Sequence, residues 1–237
     1  VYVGVSDDGA VFLDLESDAY SFVERDQALA LSFVVEGWPQ ADILEGEYSV
    51  DHLRSIEDGA AELARILCEG GLLTPATERL VKEREAVPRL PQADSELIAW
   101  CDMSPRHVRP VHVFRFLRSV ATAALLLRFR RFSRVVGRIR SRRNPAARMP
   151  CSFDMEAARK LMSAYTHIRP FVYGQKSRCL LDSLTLLEFL ACDGVYPAWV
   201  IGVQVHPFGS HSWLQHQSYV LNGTPAYVRA YTPILAI

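Results

Sequence analysis

A leucine-rich stretch, "SRCLLDSLTLLEFLACDG" (177–194), runs directly into four short segments: "YPAWVIGVQV", "HSWLQ", "SYVLN" and "AYVRAYTPIL". Leu180, Leu181, Leu184, Leu187 and Leu190 recur at helical spacing, and the pattern predicts a helix ending near Gly194. The segments after it predict strands, the last of them a closing strand or tail. A helix followed at once by antiparallel strands has few ways to bury its leucines. It must lie on one face of the sheet, which makes this part of the chain α+β and puts the helix start at a helix–sheet junction. "FDMEAARKLMSAYTHI" (153–168) predicts a further helix before it.

Cys179 stands at that start. In the first turn, free backbone N–H groups and the positive end of the helix dipole favour a thiolate, and the neighbouring Arg178 and Lys176 act in the same sense. The same N–H groups suit an oxyanion formed beside the sulfur. The ordinary fate of a free cysteine is that of a small buried hydrophobe. Cys192, at the far end of the helix, and Cys68, inside an apolar stretch, read that way; Cys101 and Cys151 have no clear context.

Downstream, "HPFGSHSWLQHQSYVLNG" (206–223) has the pattern of a hairpin. If His216 and Gln217 form a two-residue turn, Trp213 faces Val220 and His211 faces Asn222. Directly opposed Cβ atoms lie about 4.5–5.5 Å apart. An asparagine at that range would fix the imidazole tautomer and aim the other nitrogen at a thiol, the logic of a nucleophile–base–orienter triad. A three-residue loop would put Gly223 opposite His211 instead. His216 points to the other strand face and His206 precedes Pro207 in a loop, so the histidines 206, 211 and 216 lack metal-ligand geometry.

The first eighty residues are built differently. "YVGVSDDGAVFLDLESDAYSFV" predicts three short strands, with Asp8-Gly9 at the first tight turn. Two or three helices follow: "DQALALSFVVEG" up to Gly37, then "SVDHLRSI" opening on Ser49 as N-cap, and "EDGAAELARILCEGGLL" stopping at Gly70-Gly71. The whole, 1–78, predicts a small winged-helix-like module. Its excess of acidic residues argues against a phosphate-binding surface, hence against DNA. Residues 77–92 read as a polar linker. From about 94 the chain becomes helical and basic, with nine arginines and no acidic residue between 128 and 148. Such a run suits an anion, a nucleic acid or an acidic protein surface, or is simply a solvated helix face. It lacks the interleaved aromatics and base-reading motifs of a nucleic-acid-binding protein. Five cysteines without a C-x-x-C pair argue against a disulfide framework and point to a reducing cytosol. The net charge of −1 predicts no general attraction to acidic membranes, and the apolar run 119–127 is too short to span one.

The motifs "CLLDSLTLLEFLACDG", "VIGV", "PF", "HSW", "VLN" and the terminal "YTPIL", in this order and spacing over about sixty residues, closely resemble the C-terminal part of lasso-peptide biosynthesis B proteins. These are transglutaminase-like, papain-like cysteine proteases that remove the leader from a ribosomal precursor peptide. The resemblance implies Cys179 as nucleophile and His211 as general base. In the family pattern an aspartate after the asparagine is the triad acid; here that position is Gly223, and Asn222 is expected as orienter. "GAVFLDLESDAYSFV…SVDHL…ELARILCEGGLL" resembles the PqqD-like recognition element fused to some of these proteases. It implies that the precursor's leader adds as a strand beside residues 18–23, with Tyr20 and Phe22 on one face, and packs on the helix with Leu63, Ile66 and Leu67.

The expected architecture is thus 1–78 for leader recognition, 79–148 as linker and basic helical segment, and 149–237 as peptidase. The expected function is a leader peptidase without cofactor. In the family a partner, an asparagine-synthetase-like cyclase, uses ATP to close the macrolactam, and the arginine-rich segment offers one docking surface for it. No nucleic acid and no membrane is expected as partner. The alternatives are a non-catalytic adaptor that presents the precursor to the cyclase, and an acyl or amide transferase on the same fold.

Overall fold

The computed structural model describes residues 1–39, 48–74, 90–97, 108–148 (side chains to 142), 154–174 and 178–237. Most of the linker 77–92, together with Cys101, Cys151 and Lys176, lies outside them. The chain is a mixed α+β structure in two compact units: Val1–Ala86 with Val205–Phe208, and Val87–Gln204 with Gly209–Ile237.

In the first unit, β1 (Tyr2–Ser6), β2 (Gly9–Asp14) and β3 (Ala19–Glu24) form an antiparallel sheet in the order β1-β2-β3. Ser6 pairs with Gly9, so the turn residues are Asp7 and Asp8 rather than Asp8 and Gly9. Gly9 is required for another reason. Its φ is +144°, and a Cβ there would lie 2.2 Å from the Val23 carbonyl oxygen. Helix α1 (Arg25–Val34) and helix α2 (Val50–Glu69) follow. Ser49 caps α2 by accepting the His52 N–H at 3.3 Å, and the helix runs unbroken to Gly70. Ala10, Phe12 and Val23 on one sheet face pack with Ala28, Leu31, Ile56, Ala60 and Leu67 from the helices into one core.

The second unit holds β4 (Ser95–Glu96), α3 (Pro110–Phe129), α4 (Phe132–Arg148), α5 (Met155–Ile168) and α6 (Cys179–Ala191). After them come β5 (Ala198–Gln204), β6 (Gly209–His216), β7 (Tyr219–Val220), a short α7 (Pro225–Val228) and β8 (Thr232–Ala236). The five strands order as β4-β7-β6-β5-β8; β4 runs parallel to β7 and the other pairs are antiparallel. Thus the tail is a strand preceded by a helical turn, which Thr224 caps through the Tyr227 N–H at 3.3 Å.

Helix α6 lies on one face of this sheet, as its leucines require. Ser183 and Ser212 hydroxyls meet at 2.7 Å, and the Trp199 indole N–H donates to Ser212 at 2.8 Å and to Ser183 at 3.1 Å. These buried polar groups satisfy one another and fix how far along the sheet the helix sits. Phe116 of α3 sets its ring 5.3 Å from Tyr165 of α5 and 6.4 Å from Phe189 of α6, closing the core behind. The opposite sheet face buries Val200, Trp213, Val220, Val228 and Ala236.

Candidate active site

Cys179 is the first residue of α6, and Asp182 N–H to Arg178 carbonyl, at 2.8 Å, is the bond that begins the helix. The N–H groups of Cys179, Leu180 and Leu181 precede it and have no intrahelical acceptor. Helices α2, α5 and α7 each fill this position with a side-chain cap: Ser49, Asp154 and Thr224. Helix α6 starts on Arg178 with no side-chain cap bond. Cys179 itself is half-buried and in no disulfide among the described residues.

The hairpin register differs from the expected one. Gln215 pairs with Val220 and His216 with Tyr219, so the turn is Gln217-Ser218, with Gln217 at φ 52°. The Gln215 side chain holds this turn, donating to the Gln217 carbonyl at 2.7 Å and to that of Pro91 at 2.8 Å. The shift moves Asn222 out of the position opposite His211. His211 pairs instead with Gly202 on β5. Asn222 is buried and spends both ends of its amide elsewhere: Oδ1 accepts the Leu214 N–H at 2.8 Å, and Nδ2 donates to Asp182 Oδ2 at 3.0 Å. Asn222 therefore does not orient the imidazole by direct contact, as the expected triad required.

Asp182 is the residue that sequence reasoning missed. It is 1% exposed, one turn along from Cys179, and wholly enclosed by donors. Tyr165 donates to Oδ1 at 2.9 Å, and the Tyr173 hydroxyl lies 2.8 Å from that of Tyr165 and 3.3 Å from the same carboxylate oxygen. Arg169 stands 3.6 Å away. Burial, then the Asp182 charge, raises both phenols, Tyr165 well above the ordinary value and Tyr173 to about 12; both are neutral donors at any working pH. A buried carboxylate is tolerated only when paired and hydrogen-bonded in this way. The network also has a mechanical result. Asp182, Asn222 and the Leu214 N–H join the first turn of α6 to strand β6, the two elements that carry Cys179 and His211.

His211 sits among aromatic rings. Trp213 stacks at 5.9 Å, Tyr227 meets it edge-on at 4.9 Å, and Tyr231 lies at 5.3 Å. Its Nε2 is buried and has no hydrogen-bond partner among the described residues. Burial lowers the imidazole below its ordinary 6.5, against an opposing pull from Asp182. Tyr231 also belongs to this cluster. It packs against His211, and the hydrogen bond to Tyr227, then burial, pushes its hydroxyl up to about 12. Gly202 makes room for this packing, since a Cβ there would come within 2.8 Å of the Trp213 ring and 2.9 Å of Tyr231 Cβ. Among the described residues no hydrogen bond joins Cys179 to His211.

The expected leader-binding residues lie in the first unit. Strand β3 is an edge of its sheet. Tyr20 and Phe22 pair with Leu13 and Val11, on the face opposite the one that packs on α1 and α2. On α2, Leu67 is a core residue at 8% exposure and Leu63 is partly buried against the same core, because they continue the Ile56–Ala60 stripe, whereas Ile66, 50% exposed, faces outward.

A half-buried thiol at a helix start without a side-chain cap, on a helix laid against an antiparallel sheet that carries a buried histidine, supplies the residue types that cysteine–histidine acyl transfer uses. Residues 119–236 match the model of the transglutaminase-like superfamily, so the C-terminal part of the chain is a transglutaminase-like domain, a fold compatible with cysteine-protease-like activity. The match does not include residues 1–118. No curated protein and no solved structure matches the chain.

Proposed function

We propose that this protein is a cysteine peptidase that removes the leader from a ribosomal precursor peptide, as its resemblance to lasso-peptide biosynthesis B proteins implies. What supports the reading is a Cys179 helix start without a side-chain cap, together with a His211 whose buried Nε2 has no partner among the described residues and whose proton affinity burial lowers. His211 takes the thiol proton and the Cys179 sulfur attacks the scissile carbonyl. The N–H groups of the first helix turn hold the oxyanion. The imidazolium then protonates the leaving amine, and the leader stays on sulfur as a thioester. Water, deprotonated by His211, releases it. The freed amine of the core peptide is what an ATP-using, asparagine-synthetase-like partner would join into a macrolactam.

The N-terminal module, read as PqqD-like, would bind the leader by strand addition at β3 and so raise the local concentration of the scissile bond. Tyr20, Phe22 and Ile66 are its contact residues in this reading. Incubation of purified protein with precursor, followed by mass spectrometry, tests the whole scheme. A leader-sized product is expected from the wild type and none from Cys179→Ala; equal cleavage by both would falsify it.

A second reading, a non-catalytic adaptor presenting the precursor to the cyclase, is favoured by one observation: Asn222 bonds to Asp182 and not to His211. Persistent absence of product with cyclase and ATP supplied would select it. Transfer of the acyl group to an added amine, in place of water, would mark an amide transferase.

A further inference from the structure

Helix α3 is apolar on its inner face and along a stripe of its outer face. Its inner face packs through Phe116, Ser119 and Ala123. Its outer face shows Phe114 at 68%, Leu117 at 50%, Leu125 at 56% and Phe129 at 70% exposure. From Phe114 to Phe129 this stripe extends about 22 Å at the helical rise. Charged residues in α3 are arginines without exception. Although the run 119–127 alone is too short to span a bilayer, the whole helix Pro110–Phe129 is long and apolar enough to cross one, contrary to the expectation of no membrane contact. At its C-terminal end stand Arg128, Arg130, Arg131 and Arg134. Among the described residues these four make no ion pair, whereas Arg138 and Arg142 reach Glu188 and Arg115 reaches Asp193. A stripe of exposed aromatic and leucine side chains of this length is rare on a surface that meets water alone. A cationic cluster joined to it, with no acidic residue in either α3 or α4, selects an anionic apolar surface.

We propose that the α3–α4 corner is a peripheral docking site for an anionic lipid bilayer. The α3 stripe would enter the boundary between headgroups and acyl chains, and the four arginines would take the headgroup phosphates. The helix lies on the membrane and does not span it, because its inner face is committed to α5 and α6. A protein partner would need both a matching apolar groove and an acidic rim, whereas a bilayer offers the two together without shape matching. This inference is independent of the peptidase reading.

The test is co-sedimentation of the purified full chain with extruded vesicles. Vesicles containing phosphatidylglycerol should retain the protein, pure phosphatidylcholine vesicles should not, and added salt should weaken retention. Reversing the four charges (R128E, R130E, R131E, R134E) should lower the partition coefficient ~100-fold or more, from roughly fivefold per basic residue. A second variant, L125S with F129S, should lose binding while keeping its circular dichroism spectrum, which separates docking from unfolding. The proposal is overturned by no retention on anionic vesicles, or by retention unchanged in both folded variants. It is also overturned if sedimentation velocity without lipid finds a dimer that these variants split, since the face would then be a self-association surface.

Discussion

The Asn222 amide donates to the Asp182 carboxylate across 3.0 Å while accepting the Leu214 N–H at 2.8 Å, so one buried side chain fastens the first turn of α6 to strand β6. Asn222→Ala removes both bonds and leaves a backbone N–H and a carboxylate oxygen buried without partners. The expected cost is about 1–3 kcal/mol for each group so stranded, an upper range if both relax poorly. Urea unfolding measures it; an unchanged midpoint would show that water replaces the amide.

Asn222→Asp asks a sharper question, because it places two carboxyl groups about 3 Å apart, where both cannot be ionised. The variant should be less stable than wild type at pH 7 and regain stability on acidification as the pair takes up one proton. Thermal melts at pH 7.5 and 5.5 decide this. If the variant melts like wild type at both, Asp182 and residue 222 do not share the contact.

Burial holds the His211 imidazole below 6.5, and the sign of the pH effect follows. Between the folded value and 6.5 the unfolded chain binds more protons, so stability rises with pH in that window and is lost as pH falls through it. His211→Gln abolishes this contribution, and its urea midpoint should drop less than that of wild type between pH 7.5 and 5.5. The acid limb of peptide cleavage should likewise have its midpoint below pH 6.5, because the base must be neutral.

Gly202 is extended backbone pressed against Trp213 and Tyr231. Gly202→Ala should drive the indole out of its stack on His211 at a cost of about 1–3 kcal/mol, the usual range for overpacking. Tryptophan fluorescence and the melting temperature should both change. Retention of wild-type cleavage would mean that the aromatic surroundings of His211 are not needed to hold it.

The helix–sheet junction was readable from the residues because period 3.6 gave way to period 2 within sixty positions, and the Cys179 start needed no tertiary information. The register was not. A turn centred on His216-Gln217 and one centred on Gln217-Ser218 differ by a single residue, and what decides is long-range, the Gln215 amide bonding to Pro91 and Gln217. Asp182 left a faint trace: an acidic residue on a helix otherwise leucine-rich, which calls for buried donors. Those donors come from Tyr165, Tyr173 and Asn222, seventeen, nine and forty positions away, beyond any local pattern. On α2 the periodicity was right but ambiguous, since one leucine stripe serves a core and a binding groove equally well.

Asp182→Asn separates the mechanical role of this residue from its electrostatic one. The amide keeps the volume but loses the charge beside Arg169, and removing one member of a buried pair costs about 3–5 kcal/mol. A purely structural role would stop there, with lower stability and an unmoved pH profile. The Asp182 charge also raises the His211 proton affinity, opposing burial. Its loss should therefore shift the acid limb of cleavage to lower pH and reduce kcat more than it raises KM, because the imidazolium formed on the way to the transition state loses the carboxylate charge that offsets its burial. An acid limb that stays in place in folded Asp182→Asn would assign Asp182 to the scaffold and leave His211 to act without an acidic partner.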